Sequence, residues 1–130
     1  MMEPKVRQMI VCEDARTRQG SGRKIDVFGI INKVFAESFP FNLTLAVYLC
    51  LTECRGSGQG RIVVTELGAE KAAYIGDLHP FEFGSDPVAL HPFVIRIPSC
   101  ELSRPGLYEV SFVYNEVALD SYAILVEESV

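Results

Sequence analysis

The sequence predicts an all-β fold: a two-sheet antiparallel β-sandwich, immunoglobulin-like or a related Greek key, of seven or eight strands, with residues 1–130 as one domain. Three observations predict it. Two long segments alternate apolar and polar residues with period 2. Clusters of Gly, Pro, Ser and Asn interrupt the chain at short intervals. No segment sustains the 3.6-residue period of an amphipathic helix.

Residues 7–12 (Arg-Gln-Met-Ile-Val-Cys) open the series of strands, and 25–32 follow after the Gly20-Ser21-Gly22 turn. The clearest strand is 41–54. Phe41, Leu43, Leu45, Val47, Leu49 and Leu51 form one wholly apolar face, and Asn42, Thr44, Ala46, Tyr48, Cys50 and Thr52 a mixed one. Its length implies a bend or service to two sheets. The glycines between 56 and 60 read as a flexible connection into the β-branched strand 61–66. Residues 69–74 are the best helical stretch but too short to stand alone, so 71–75 reads as a strand. Leu78-His79-Pro80-Phe81 recurs as Leu90-His91-Pro92-Phe93, two entries into extended segments, the second leading to a strand at 93–98. Tyr108, Val110, Phe112 and Tyr114 then alternate with Glu109, Ser111, Val113 and Asn115, and a further run passes through Tyr122, Ile124 and Val126. These two make a hairpin. The connection is tight, at Asn115-Glu116; Glu116 makes the turn imperfect, and a loop longer than two residues would relieve that.

Hydrophobic residues make up 48 % and charged residues 22 %, which excludes intrinsic disorder. Twelve Lys and Arg against seventeen Asp and Glu give a net charge of −5, which argues against a nucleic-acid partner. The longest uncharged run, residues 38–52, is shorter than the roughly 20 apolar residues of a membrane helix. The opening residues hold no apolar leader, so the expected location is the cytoplasm, with no membrane partner. Four cysteines in a reducing compartment are expected to be free thiols. The high apolar content and an open sheet edge favour self-association, most simply a homodimer.

Three stretches carry a resemblance: Ile10-Val11-Cys12-Glu13-Asp14-Ala15-Arg16; Gly22-Arg23-Lys24-Ile25-Asp26-Val27-Phe28-Gly29-Ile30; and Pro105-Gly106-Leu107-Tyr108-Glu109-Val110. Together they resemble a family of small bacterial proteins of uncharacterised function, and the likeness spans most of the chain. It implies a bacterial, all-β, sandwich-like domain and brings no catalytic residue with it.

Cys50 and Cys54, four apart on a strand, would sit about 13 Å apart and could not share a zinc ion; only a loop starting at Thr52 would bring them together. Cys12, Cys100, His79 and His91 lack ligand spacing, so buried thiols and loop histidines are expected, with no metal and no cofactor. No Gly-x-Ser-x-Gly elbow is present. Arg55-Gly56-Ser57-Gly58-Gln59-Gly60 has the glycines of a phosphate cradle but precedes a strand rather than a helix. Asp77, Glu82 and Asp86 read as a solvated acidic loop, with a weak cation site as the alternative.

Charge is unevenly spread. The first 24 residues hold six of the twelve basic groups and only three acids. Arg16, Arg18, Arg23 and Lys24 concentrate on a glycine-softened hairpin tip, the candidate contact for an acidic protein partner or for an acidic patch on a second subunit. The tip contains no aromatic residue on which a base could stack. The function expected is therefore that of a non-enzymatic binding or scaffold module acting through protein–protein contacts. Its rival is a small enzyme or ligand carrier using a Cys/His or acidic-loop site.

Overall fold

The computed structural model describes residues 3–20 and 24–129. Ten strands follow one another: β1 (Lys5–Thr17), β2 (Ile25–Ile30), β3 (Lys33–Ala36), β4 (Phe41–Thr52), β5 (Gly56–Glu66), β6 (Lys71–Ile75), β7 (His79–Gly84), β8 (His91–Leu102), β9 (Gly106–Tyr114) and β10 (Val117–Glu128). They form two sheets. One has the order β2-β1-β4-β8, the other β3-β10-β9-β5-β6, with β7 also paired to β5. Every pairing is antiparallel except that of β3 with β10. In immunoglobulin lettering, β1, β4 and β8 take the places A, B and E, and β10, β9, β5 and β6 take G, F, C and C′.

Alternation places the core. Leu45, Val47, Leu49 and Leu51 of β4 face Val110, Phe112 and Tyr114 of β9, with Ile95, Ile97, Ile62, Val64, Ile124 and Val126 filling the space between the sheets. The other face of β4 is not simply polar. Cys12, Ala15 and Ala46 are buried in a second, smaller cluster with Ile10, Ile25, Val27 and Val94 around it. Free thiols fit both places: Cys54 and Cys100 lie in the main core, and Cys12 in the small cluster.

Three sequence expectations are corrected. There are ten strands rather than seven or eight: β3, only four residues long, is held by β10 rather than by its own pattern, and β7 pairs with the glycines of β5. The glycine run 56–60 is strand, not loop. A Cβ on Gly58 would collide with the Tyr114 ring, and one on Gly60 with those of Phe112 and Phe81. Aromatic rings lie over the bare backbone, so these glycines give close approach rather than flexibility. Strand β8 runs through Pro92 and Pro98 because it is an edge strand, which tolerates their missing N–H groups. The β9–β10 hairpin keeps the tight connection at Asn115-Glu116, with no longer loop. Asn115 (φ 47°) and Glu116 (φ 70°) both adopt positive φ, and Asn115 is tied to Gln59 by two hydrogen bonds of 2.8 and 3.0 Å.

A further difference concerns Cys50 and Cys54. Strand β4 ends at Thr52 and the backbone turns at Glu53 (φ 53°), so the two cysteines do not share one straight strand. Both are buried thiols.

Candidate interaction surface

The ladder between β1 and β4 ends at Cys12 opposite Ala46. The ladder between β1 and β2 continues to Thr17 opposite Ile25. Residues 13–17 and 25–28 therefore leave β4 and form a two-stranded arm. Open clefts of about 390 and 460 Å³ mark the parting, and Glu13 and Thr44 line both. The arm nonetheless lies against the body: Ala15, fully buried, packs with Ala46, and Ile25, Val27 and Val94 of β8 close around them, while Arg96 of β8 donates from Nη2 to the carbonyl of Ala15 at 2.6 Å and its Nε lies 3.5 Å from Asp14.

The candidate basic residues sit on this arm. Arg18 binds Asp26 through two bonds, at 2.5 and 3.1 Å. Arg16 binds Asp14 at 2.9 Å and lies 5.6 Å over the ring of Phe28. These arginines hold both carboxyls below their ordinary range, Asp14 mainly through its bond from Arg16 and Asp26 mainly through that from Arg18. Lys24 is exposed and, among the described residues, in no ion pair. Arg23 lies outside the described residues. The tip is thus partly neutralised from within.

What sequence reasoning missed is apolar. Phe28 is 49 % exposed and Ile30 58 %, both on β2, the outermost strand of its sheet. Phe28 also supplies the aromatic ring beside Arg16 that the tip lacks by sequence. The signal for this was present in the alternation of residues 25–30, but alternation does not say which face stays uncovered.

Two other places were candidates for chemistry. A groove of about 660 Å³ on the outer face of the larger sheet is lined by Val63, Ile75, Leu78 and Val113, with Arg61 and Glu116 among them. At one end of that sheet Glu66, only 6 % exposed, accepts bonds from Ser103 (3.1 Å) and from the Nε of Arg104. Arg104 holds its carboxyl below the ordinary range. Among the described residues no three of His, Cys, Asp and Glu converge as metal ligands, so Asp77, Glu82 and Asp86 are not brought together. Asp86 instead accepts the amide of Val88 at 3.0 Å. Burial raises the thiol pKa of Cys12, Cys54 and Cys100, the last to about 11, which makes these groups poor nucleophiles. No helix is long and apolar enough to cross a membrane among the described residues.

Residues 7–127 match the model of a family of unknown function (DUF6941). No curated protein matches the sequence. Among solved structures, a β-glucosidase from Listeria innocua aligns at TM-score 0.49 and 9 % identity, over 92 % of this chain and 16 % of that one. The same enzyme in complex with isofagomine aligns at TM-score 0.48 and 7 % identity, over 95 % and 16 %. The chain thus spans about a sixth of the length of those enzymes.

Proposed function

The chain belongs to this family of unknown function, and from that premise we propose that it is a non-enzymatic bacterial cytoplasmic module that acts through protein–protein contacts made by its two-stranded arm. The observation that carries this reading is the open edge of β2, where Phe28 and Ile30 stand half in water and the guanidinium of Arg16 lies over the Phe28 ring. Exposed apolar side chains flanked by a guanidinium group are the composition of a contact patch. The free strand edge adds backbone donors and acceptors for a partner strand. The rival enzyme or carrier needs Cys, His or acids gathered in a cleft. The grooves described above contain neither Cys nor His, and of the two acids in the cleft at the parting, Glu13 and Asp14, Asp14 is held by Arg16 and Arg96.

The test is native size fractionation of cell extract, tracking this chain. Wild type elutes above its monomer size. The double variant Phe28→Ser/Ile30→Ser, which removes no core residue, elutes as monomer with its melting temperature nearly unchanged. Equal elution of the two would overturn the reading.

A further inference from the structure

We propose that the arm is a hinged flap: residues 13–17 and 25–28 swing as one piece about Glu13 and Gly29, and the closed flap is what buries Cys12 on the outer face of the smaller sheet.

The hinge shows in the strand geometry. Cys12 pairs with Ile30 and Asp14 with Phe28, but the register passes over Glu13 and Gly29 between them. Gly29 has φ 64°, and a Cβ there would fall 2.6 Å from Oε1 of Glu13. Side chains alternate faces along a strand, so residues 12 and 15 of an unbroken strand look opposite ways. Yet Cys12 and Ala15 share one cluster with Ala46. The chain therefore turns over at Glu13 and Gly29, which brings Ala15, Ile25 and Val27 of the arm against Ala46 and Val94. Glu13 also lines both clefts at the parting. A joint of one or two residues between regular segments is where hinge motion is absorbed.

The arm holds together by itself. Its ladder runs from Asp14 opposite Phe28 to Thr17 opposite Ile25. The amide of Arg18 donates to the carbonyl of Lys24 at 2.7 Å, Arg18 makes two bonds to Asp26, and Arg16 bonds Asp14. None of these has to break for the flap to lift. The ladder to β4 stops at Cys12, so it does not tie residues 13–17 to the body. Among the described residues, the polar contacts from the arm to the body all belong to Arg96, through the Ala15 carbonyl and the Asp14 carboxylate. The remainder is the small apolar contact of Ala15, Ile25 and Val27. A segment held by so few contacts opens at lower free energy than the core does.

Cys12 reports the opening. It belongs to the small cluster rather than the main core, its Sγ lies 3.5 Å from the Ala46 carbonyl, and it is fully buried. Tyr48, on the same face of β4 as Ala46 but one step further from the arm, is only partly buried. Cys54 and Cys100 lie between the sheets and are uncovered only when the sheets part. Phe28 rides on the flap, whereas Ile30, opposite Cys12, stays with the body. On the contact reading above, lifting the flap divides the exposed patch, so the closed flap is the binding form and the Arg96 latch sets its population.

The test is native thiol labelling of the purified chain, each cysteine being followed by mass spectrometry. In the wild type Cys12 should react slowly, yet about tenfold or more faster than Cys54 and Cys100. Arg96→Ala removes the latch and should raise the ratio of the Cys12 rate to the Cys100 rate by about a further tenfold. Global unfolding exposes both thiols together, so a general loss of stability cannot raise that ratio. Equal rates for Cys12 and Cys100 in the wild type overturn the proposal, whatever the variant does. A ratio unchanged by Arg96→Ala removes the latch and so the proposal as stated. Equal rates in a chain whose extract elution still depends on Phe28 and Ile30 mean that the flap fails while the contact reading stands.

Discussion

The hydroxyl of Tyr108 donates to the carbonyl oxygen of Arg104, four residues upstream, at 2.7 Å. This closes a tyrosine corner at the start of β9, a device of Greek-key sandwiches that locks the crossing from one sheet to the other. Tyr108 is buried and the bond is partly shielded from water. The Pro105-Gly106-Leu107-Tyr108 motif therefore has a structural task. Tyr108→Phe should lower unfolding free energy by about 0.5–1.5 kcal/mol, because the bond to the Arg104 carbonyl is lost. Urea denaturation would measure this. An unchanged midpoint would remove the corner from the account.

Acid stability should depend on Glu66. Its folded pKa is held below the ordinary carboxylate value, first by the bond from Arg104. A depressed pKa stabilises the fold above the unfolded value, and that share is lost as pH falls through the folded value. Melting temperature should thus fall as pH drops below the ordinary glutamate value of about 4.3 and on through the lower value of folded Glu66. Glu66→Gln should melt lower at neutral pH and show a shallower acid limb. Parallel curves for the two proteins from pH 7 to pH 3 would contradict this.

The glycines of β5 should resist substitution. Gly60→Ala would place a Cβ 2.8 Å from the rings of Phe112 and Phe81. Overpacking of this kind costs about 1–3 kcal/mol. Gly68→Ala, in a turn with open space around it, should cost far less. Chemical denaturation of the pair decides it, and equal midpoints would mean that the rings move aside freely.

The four thiols should react slowly in the folded protein. All are buried, and burial alone pushes Cys100 up to about 11. Thiol titration should find four groups promptly after denaturation and almost none before it. Rapid native labelling of Cys100 would show that the core opens there.

Much of this architecture could be read in the residues, and the exceptions share a cause. The odd positions of β4 and the alternation of β9 announced the core because a half-buried strand must alternate. Residues 16–24 announced a basic hairpin tip. Alternation is local, however, and burial is not. Lys33–Ala36 became a strand through pairing with β10, more than ninety positions away. Gly58 and Gly60 looked like loop because their stabilising contacts are rings on other strands. Arg96, which fastens the arm, is eighty-one positions from the carbonyl that it holds. The exposure of Phe28 and Ile30 depended on the absence of any strand beyond β2, a fact of topology rather than composition.

The central claim is that the arm is where this chain meets protein, and site-specific photo-crosslinking in cells tests it most directly. A photoreactive phenylalanine analogue replaces Phe28 in one variant and Val88 in the other, Val88 being 78 % exposed but far from the arm in sequence and on no strand. The account predicts a discrete protein adduct from position 28, lost when Ile30 is also changed to Ser, and none from position 88. No adduct at position 28, or equal adducts at both positions, would contradict it.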